Sequence, residues 1–341
     1  MKIDIFCHVI DYFGDVAVAY RLARAMCLHQ DDLSIRFFCT HPEIIAHLYP
    51  HAETLPITIH EYNTSLHLDR ADVAIESFAC ELPIAYEKPT LIINLEYLTA
   101  EEWITSYHRL ESIGMNPSGK KFFFFPSIDN QAGSLTHGDF LFHKTTWLDH
   151  HTHYKQDLIH ILNLPPHFLD RPWILIYIYT LDTDSWNYLA SHFSIIHIDS
   201  KAAPITSPWI VTRRCPQQAF DMLITLCDML IIRGEDSLSR AILAGKPFLW
   251  QAYKQEENYH LIKVRALCQL LQQTYPANTW ALWQEAILAL NADNTILAKT
   301  LQQLIANTSL FQQTANKITQ YRSLEENLLN FIEQKQHNSS T

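Results

Sequence analysis

Glycine is the first shortage, with seven in 341 residues. Neither G-x-G-x-x-G nor G-x-x-x-x-G-K-[ST] occurs, which argues against a dinucleotide dehydrogenase and a P-loop enzyme. Long apolar runs are missing too: none approaches the ~18–20 residues that a membrane span needs. The opening run Met1–Ile10 is too short for a signal peptide with its cleavage site and reads as a first strand. A cytoplasmic protein is expected. Paired cysteines are absent. The seven present (Cys7, Cys27, Cys39, Cys80, Cys215, Cys227 and Cys268) are scattered with no C-x-x-C, so they read as buried thiols rather than a disulfide or zinc framework. Positive charge is also short. Twenty-five Lys and Arg face 36 Asp and Glu, and a net charge of −11 argues against nucleic acid or an anionic membrane as partner.

What is present is a chain able to bury ordinary cores, with 48% hydrophobic and 18% charged residues. Its length suggests about two domains, at roughly 100–200 residues each. Short apolar runs alternate with helix-period segments. The candidate strands are Ile3–Ile10, Ile35–Cys39, Val73–Glu76, Thr90–Leu95, Lys121–Phe125, Trp173–Tyr179, Phe193–Ile198, Trp209–Val211, Met229–Arg233 and Pro247–Gln251. Such runs, rich in β-branched and aromatic residues, predict parallel α/β sheets buried on both faces. From about Asn258 the chain reads as helical to a polar tail, Gln334–Thr341. The expected domain seam lies at Leu164-Pro165-Pro166, because adjacent prolines favour an extended connection. Asp149-His150-His151-Thr152-His153 is compositionally odd and is expected to be a solvated loop.

Ligands of parallel sheets bind beyond the carboxyl ends of the strands, and two such places carry chemistry. The first strand runs out into Asp11-Tyr12-Phe13-Gly14-Asp15 before a helix over Val16–Gln30. Asp15 is expected at or near the helix N-cap and Asp11 in an Asx-turn. The alternative is a carboxylate pair able to bind a cation or take a proton. The second place follows the strand ending at Arg233. Arg233-Gly234-Glu235 reads as a tight turn, Asp236–Ala244 as a helix with Ser237 in its first turn, and Gly245 as its C-cap. The free N–H groups of a helix start and a guanidinium make an anion site. Glu235 is suited to accept from a sugar hydroxyl. A capping turn with an Arg–Glu surface pair is the plainer alternative. Tyr253 and Gln255, after the next strand, are candidates to complete a phosphate or sugar pocket. Tyr177 and Tyr179 either line the base end of a nucleotide or simply pack on the sheet.

Several stretches resemble the EarP family, enzymes that rhamnosylate an arginine of bacterial elongation factor P. They are D-I-F-C-H-V-I-D-Y-F-G-D-V-A-V-A-Y-R-L-A-R (Asp4–Arg24), N-L-E-Y-L-T-A-E-E-W (Asn94–Trp103), F-F-F-F-P (Phe122–Pro126) and the long run Cys227–Gln255 containing R-G-E-D-S. The resemblance implies an α/β GT-B glycosyltransferase with two Rossmann-like domains facing across a cleft. An acceptor-binding domain over 1–166 would be completed by a C-terminal helix at about 318–333, and 167–317 would bind the nucleotide sugar. It implies dTDP-β-L-rhamnose as donor, elongation factor P as acceptor, relief of ribosome stalling as the outcome, and no cofactor or metal. Asp11 and Asp15 match the family's essential aspartates, with Asp15 as general base. Arg233, Glu235, Asp236, Ser237, Tyr253 and Gln255 match its diphosphate and sugar positions; Gln217, Tyr177 and Tyr179 match its nucleoside side.

The chain departs from the family pattern at Tyr12-Phe13-Gly14-Asp15-Val16-Ala17-Val18-Ala19-Tyr20, at Ser127-Ile128 with Gly133-Ser134-Leu135, and at Arg214-Cys215-Pro216, where an aromatic is usual before Gln217. Two other functions compete: a GT-B transferase or epimerase for another nucleotide sugar, and a non-catalytic module that binds the elongation factor. Asp182-Thr183-Asp184 has the D-x-D form of a metal-diphosphate site but reads as a helix N-cap before Ser185.

Overall fold

The computed structural model describes residues 1–10, 14–50, 54–112, 119–179, 189–198, 210–212, 215–292 and 298–339. Asp11, Tyr12, Phe13, Asp182, Asp184, Trp209 and Arg214 lie outside these residues. The chain divides into two compact units, Met1–Asp139 with Gln320–Thr341, and Phe140–Thr319.

The first unit is built on a six-stranded sheet: β1 (Lys2–Cys7), β2 (Ser34–Cys39), β3 (Ile57–Glu61), β4 (Val73–Ser77), β5 (Leu91–Leu95) and β6 (Lys120–Phe124). The strands lie in the order β3-β2-β1-β4-β5-β6, every pair parallel. That is the Rossmann order, which reverses direction between β1 and β4 and opens a crevice at their carboxyl ends. The apolar runs become buried strands as their composition predicts, but Ile57–Glu61 escapes the sequence pattern. It is an edge strand whose side chains are mostly solvent-exposed, so it carries no core periodicity.

Helix α1 (Gly14–His29) covers this sheet with Val16, Ala19, Tyr20, Ala23, Met26 and Cys27, the i, i+3, i+4, i+7 stripe of an amphipathic helix. Helices α2 (Glu43–Leu48) and α3 (Ile104–Tyr107) are short. The C-terminal helix, Leu324–Ser339, returns to the same unit and inserts Leu324, Leu328, Leu329, Phe331 and Ile332 into the same core. Its first turn is clipped by polar contacts. The Glu325 carboxylate accepts from the backbone N–H of Gly138 at 2.8 Å and of His137 at 3.3 Å, and Leu324 N–H donates to the Leu135 carbonyl at 2.8 Å.

The second unit has a five-stranded sheet of β7 (Trp173–Tyr177), β8 (Ser194–Ile198), β9 (Ile210–Thr212), β10 (Met229–Arg233) and β11 (Phe248–Gln251). The order is β11-β10-β7-β8-β9, again wholly parallel. Here the reversal falls between β7 and β10. Around it pack α4 (Phe140–Asp149), α5 (His151–Ile161), α6 (Gln217–Leu226), α7 (Glu235–Ala244), α8 (Tyr259–Gln272), α9 (Ala277–Asn291), α10 (Ala298–Ala306) and α11 (Thr308–Ile318). With the C-terminal helix as α12, the described residues beyond Asn258 are mainly helical, as the sequence suggests.

Two boundaries differ from the sequence reading. The units part between Asp139 and Phe140, not at Leu164-Pro165-Pro166. Helices α4 and α5 belong to the second unit because Phe140 and Trp147 are buried and Lys144 Nζ donates to the Leu243 carbonyl of α7 at 2.7 Å. The prolines instead open a 3-10 turn, Pro166–Asp170, that leads into β7. The histidine-rich segment is helical rather than a loop, since it opens α5, and His153 lies 3.6 Å from Asp157 one turn on. All seven cysteines are free.

Candidate functional site

Both candidate sites fall at the reversal points of their sheets. In the first unit Asp15 is the second residue of α1 and is buried. Its side chain does not work as a simple N-cap. Oδ2 accepts from the N–H of Ile10, just past β1, at 2.8 Å, and Oδ1 accepts from the hydroxyl of Tyr97 at 3.1 Å. The carboxylate is thus tied to the loop after β1 and to the loop after β5, so its direction is fixed from two sides.

Tyr97 was not singled out by sequence reasoning, although it lies in N-L-E-Y directly after a buried strand. Its ring stacks on Phe78 with centroids 4.2 Å apart and planes 14° from parallel. Phe78 and Ala79, which follow β4, take φ of 58° and 56°, a left-handed pair without glycine. Each such residue costs about 1–2 kcal/mol of backbone strain. The strain places the Phe78 ring against Tyr97, and Phe78 N–H is held by the Leu95 carbonyl at 2.7 Å. Glu96, beside Tyr97, is half-buried; burial pushes its carboxyl above the ordinary range, and Asn94 donates to it at 2.6 Å.

In the second unit the site is built from β7, β10 and β11. Strand β10 ends at Arg233, and Gly234 follows with φ 78° and ψ 158°, a conformation that requires glycine. Among the described residues, a side chain at Gly234 would meet nothing within 4 Å. Trp250 Nε1 donates to the Gly234 carbonyl at 3.1 Å and holds the turn. The first backbone bond of α7 is Leu238 N–H to Gly234, which leaves the N–H groups of Glu235, Asp236 and Ser237 without a helical acceptor. With the positive end of the helix dipole, these donors give the start of α7 the polarity that suits an anion.

The Arg233 guanidinium lies 4.7 Å from the Tyr177 ring centroid and 4.2 Å from that of Tyr179. The strand ends at Tyr177, yet the two tyrosines do share a side. Tyr179 is fixed through its backbone N–H, which donates to the buried Gln251 Oε1 at 2.7 Å, and its ring meets the edge of Tyr253 at 5.5 Å. Tyr253 itself is 66% exposed. Gln255 is not drawn into this group. Its side chain is exposed, and its backbone N–H points to His260 Nδ1 at 3.4 Å. Gln217 begins α6, and its Nε2 donates to Asp221 at 3.1 Å and to Asp236 at 3.5 Å. Glu235 lies 3.9 Å from Lys263 of α8. Among the described residues no group of three or more His, Cys, Asp or Glu is arranged to hold a metal ion. No described helix is long and apolar enough to cross a membrane.

The model of the elongation factor P rhamnosyltransferases, EarP, matches residues 3–195 and 208–334. The chain belongs to the EarP family. Curated relatives of this family named protein-arginine rhamnosyltransferase include one from Pseudomonas aeruginosa, 29% identical over 321 residues that cover 81% of this chain and 83% of that protein. Another, from Neisseria meningitidis, is 31% identical over 306 residues, covering 77% and 76%. Among solved structures, one described as the structural basis for EarP-mediated arginine glycosylation of elongation factor EF-P superposes with a TM-score of 0.61 at 18% identity, covering 98% of this chain and 99% of that one. The glycosyltransferase SnogD from Streptomyces nogalater does so at 0.50 and 9% identity, covering 98% and 99%. The fold is GT-B, the chain is an enzyme of the glycosyltransferase class, and the two Rossmann-type sheets are its two halves.

Proposed function

We propose that this enzyme moves rhamnose from dTDP-β-L-rhamnose to a single arginine side chain of elongation factor P, in the cytoplasm, with inversion at the anomeric carbon. The observation that carries the reading is Asp15, a buried carboxylate aimed by Ile10 and Tyr97 at the β1/β4 reversal of an EarP-family chain. A buried carboxylate held by two donors and left at a ligand crevice suits a base better than a cap.

A free guanidinium has a pKa above 12 and is a poor nucleophile at neutral pH. In the proposed step one guanidino nitrogen attacks C1 of the sugar, and the bond from C1 to the diphosphate oxygen breaks. The proton leaving that nitrogen passes to Asp15, with Asp11 orienting the guanidinium. The electron pair of the broken bond goes to dTDP. Its charge is met by Arg233, Tyr253 and the N–H groups of Asp236 and Ser237, while Glu235 receives a sugar hydroxyl and Gln217, Tyr177 and Tyr179 face the nucleoside. The step uses no cofactor and no metal, because the cation and the helix start already stabilise the leaving group.

The test is incubation of the protein with dTDP-rhamnose and wild-type elongation factor P, followed by mass spectrometry of the acceptor. The expected product is one deoxyhexose on one arginine, with inverted anomeric configuration. An unmodified acceptor at long incubation would overturn the reading.

A further inference from the structure

Two carboxylates, Glu235 and Asp236, occupy the first turn of α7, where the anion site is. An uncompensated pair there would repel the diphosphate that the helix start attracts. Each has a cation behind it. Lys263 stands 3.9 Å from Glu235 on the half-exposed side. Behind Asp236 is Arg240, one turn further along the helix, with Nε 3.9 Å from Asp236 Oδ1.

Arg240 is 1% exposed and one of the largest fully buried side chains of the protein. Its guanidinium lies 4.8 Å from the ring centroid of Phe140 at the start of α4. Asp236 is in turn joined through Gln217 Nε2 to the buried Asp221 of α6. Gln217 therefore links Asp236 at the start of α7 to Asp221 of α6, and Arg240 faces Asp236 across 3.9 Å. Burying a guanidinium is costly, and a buried apolar side chain of similar length would fill the same space more cheaply. The charge has to serve the groups it faces.

We propose that Arg240 is a positioning residue of the nucleotide site, which cancels the charge of Asp236 so that a diphosphate can bind beside it and holds Asp236 and Gln217 in register. This rests on the donor reading above. Both nucleotides of the test carry the same base and sugar, so they differ only in the second phosphate, which is where the cancelled charge matters.

The experiment measures dTDP and dTMP affinity by calorimetry, and donor KM and kcat, for wild type, Arg240→Met and Arg240→Lys. Arg240→Met should lose at least about tenfold in dTDP affinity and less than about threefold in dTMP affinity, since only the former brings the extra charge. Turnover at saturating donor should stay within about threefold, and Arg240→Lys should keep the dTDP:dTMP ratio, because it keeps the charge. A folded Arg240→Met with the wild-type ratio, or with a fallen kcat at unchanged donor KM, overturns the proposal. Should Arg240→Met fail to fold, the double variant Arg240→Met/Asp236→Asn removes both charges of this pair. Its dTDP:dTMP ratio should return to the wild-type value; a ratio about tenfold lower overturns charge cancellation. A wild-type protein that binds neither nucleotide defeats the donor reading itself, an outcome distinct from any effect of Arg240.

Discussion

The hydroxyl of Tyr97 donates to Oδ1 of Asp15 at 3.1 Å, joining the end of β5 to the first turn of α1. A carboxylate anchored only by its own loop would be free to turn. This one has a second tether from a different strand, and that tether rests on the strained Phe78–Ala79 turn.

Tyr97→Phe should keep the fold and donor affinity but lower kcat. A hydrogen bond to a charged group contributes about 1.5–3 kcal/mol, so a drop of about ten- to a hundredfold is expected. Asp15→Asn should cost more, on the order of 10²–10⁴-fold, as loss of a general base does. Steady-state kinetics with dTDP binding checked in parallel distinguishes these from a folding defect. Near-normal turnover in Asp15→Asn would remove it from the chemistry.

Arg233 presents a planar guanidinium over Tyr177 and Tyr179, which a lysine cannot copy. Arg233→Lys is expected to weaken dTDP binding by about tenfold and Arg233→Met by about a hundredfold, from lost bidentate contacts. Gln251→Leu should act on the same site indirectly, since it strands the Tyr179 N–H at about 1–3 kcal/mol. Calorimetry reads the first two, and denaturant unfolding the third. Equal dTDP affinity in Arg233→Met would place the anion elsewhere.

His108 sets an acid limit on stability. Burial, with Arg109 beside it, pulls its pKa down to about 4 from the usual 6.5, and its Nδ1 accepts from Phe125 N–H at 3.1 Å. Between these values the unfolded chain binds the proton that the folded chain refuses, so stability falls as pH drops from about 6.5 to 4 and is complete above 6.5. The loss should be on the order of 2 kcal/mol after allowing for partial solvent screening. Urea unfolding at pH 7 and pH 4.5 tests it against His108→Gln, in which this part of the slope should vanish.

Removing the C-terminal helix should unfold the first unit. Leu324, Leu328, Leu329, Phe331 and Ile332 are buried in its core, at about 1.5–3 kcal/mol each. Their sum is comparable to the whole stability of an ordinary domain, about 5–15 kcal/mol. A chain ending at Thr319 should lose the cooperative transition of that unit, and Glu325→Ala alone should cost about 1–3 kcal/mol by freeing the N–H groups of His137 and Gly138. An unchanged calorimetric profile for the shortened chain would refute this.

Local, periodic features were legible in the chain alone. Buried parallel strands are largely apolar, so ten runs could be read directly, and Gly234 and Gly245 marked the two ends of α7 because only glycine takes their backbone angles at little cost. Asp15 and Arg233 stood out as candidates at the strand ends for the same reason: charge abruptly follows a buried run. Tertiary structure alone decided the rest. Strand β3 carries no core stripe because it lies at an edge, and the seam at Asp139 depends on which helices Phe140 and Trp147 find to pack against. Tyr97 reaches Asp15 across 82 residues of sequence, and Arg240 draws its meaning from Gln217 and Asp221 on another helix. Contacts of that kind have no period in the chain; they exist only once the sheet order has brought the two loops together.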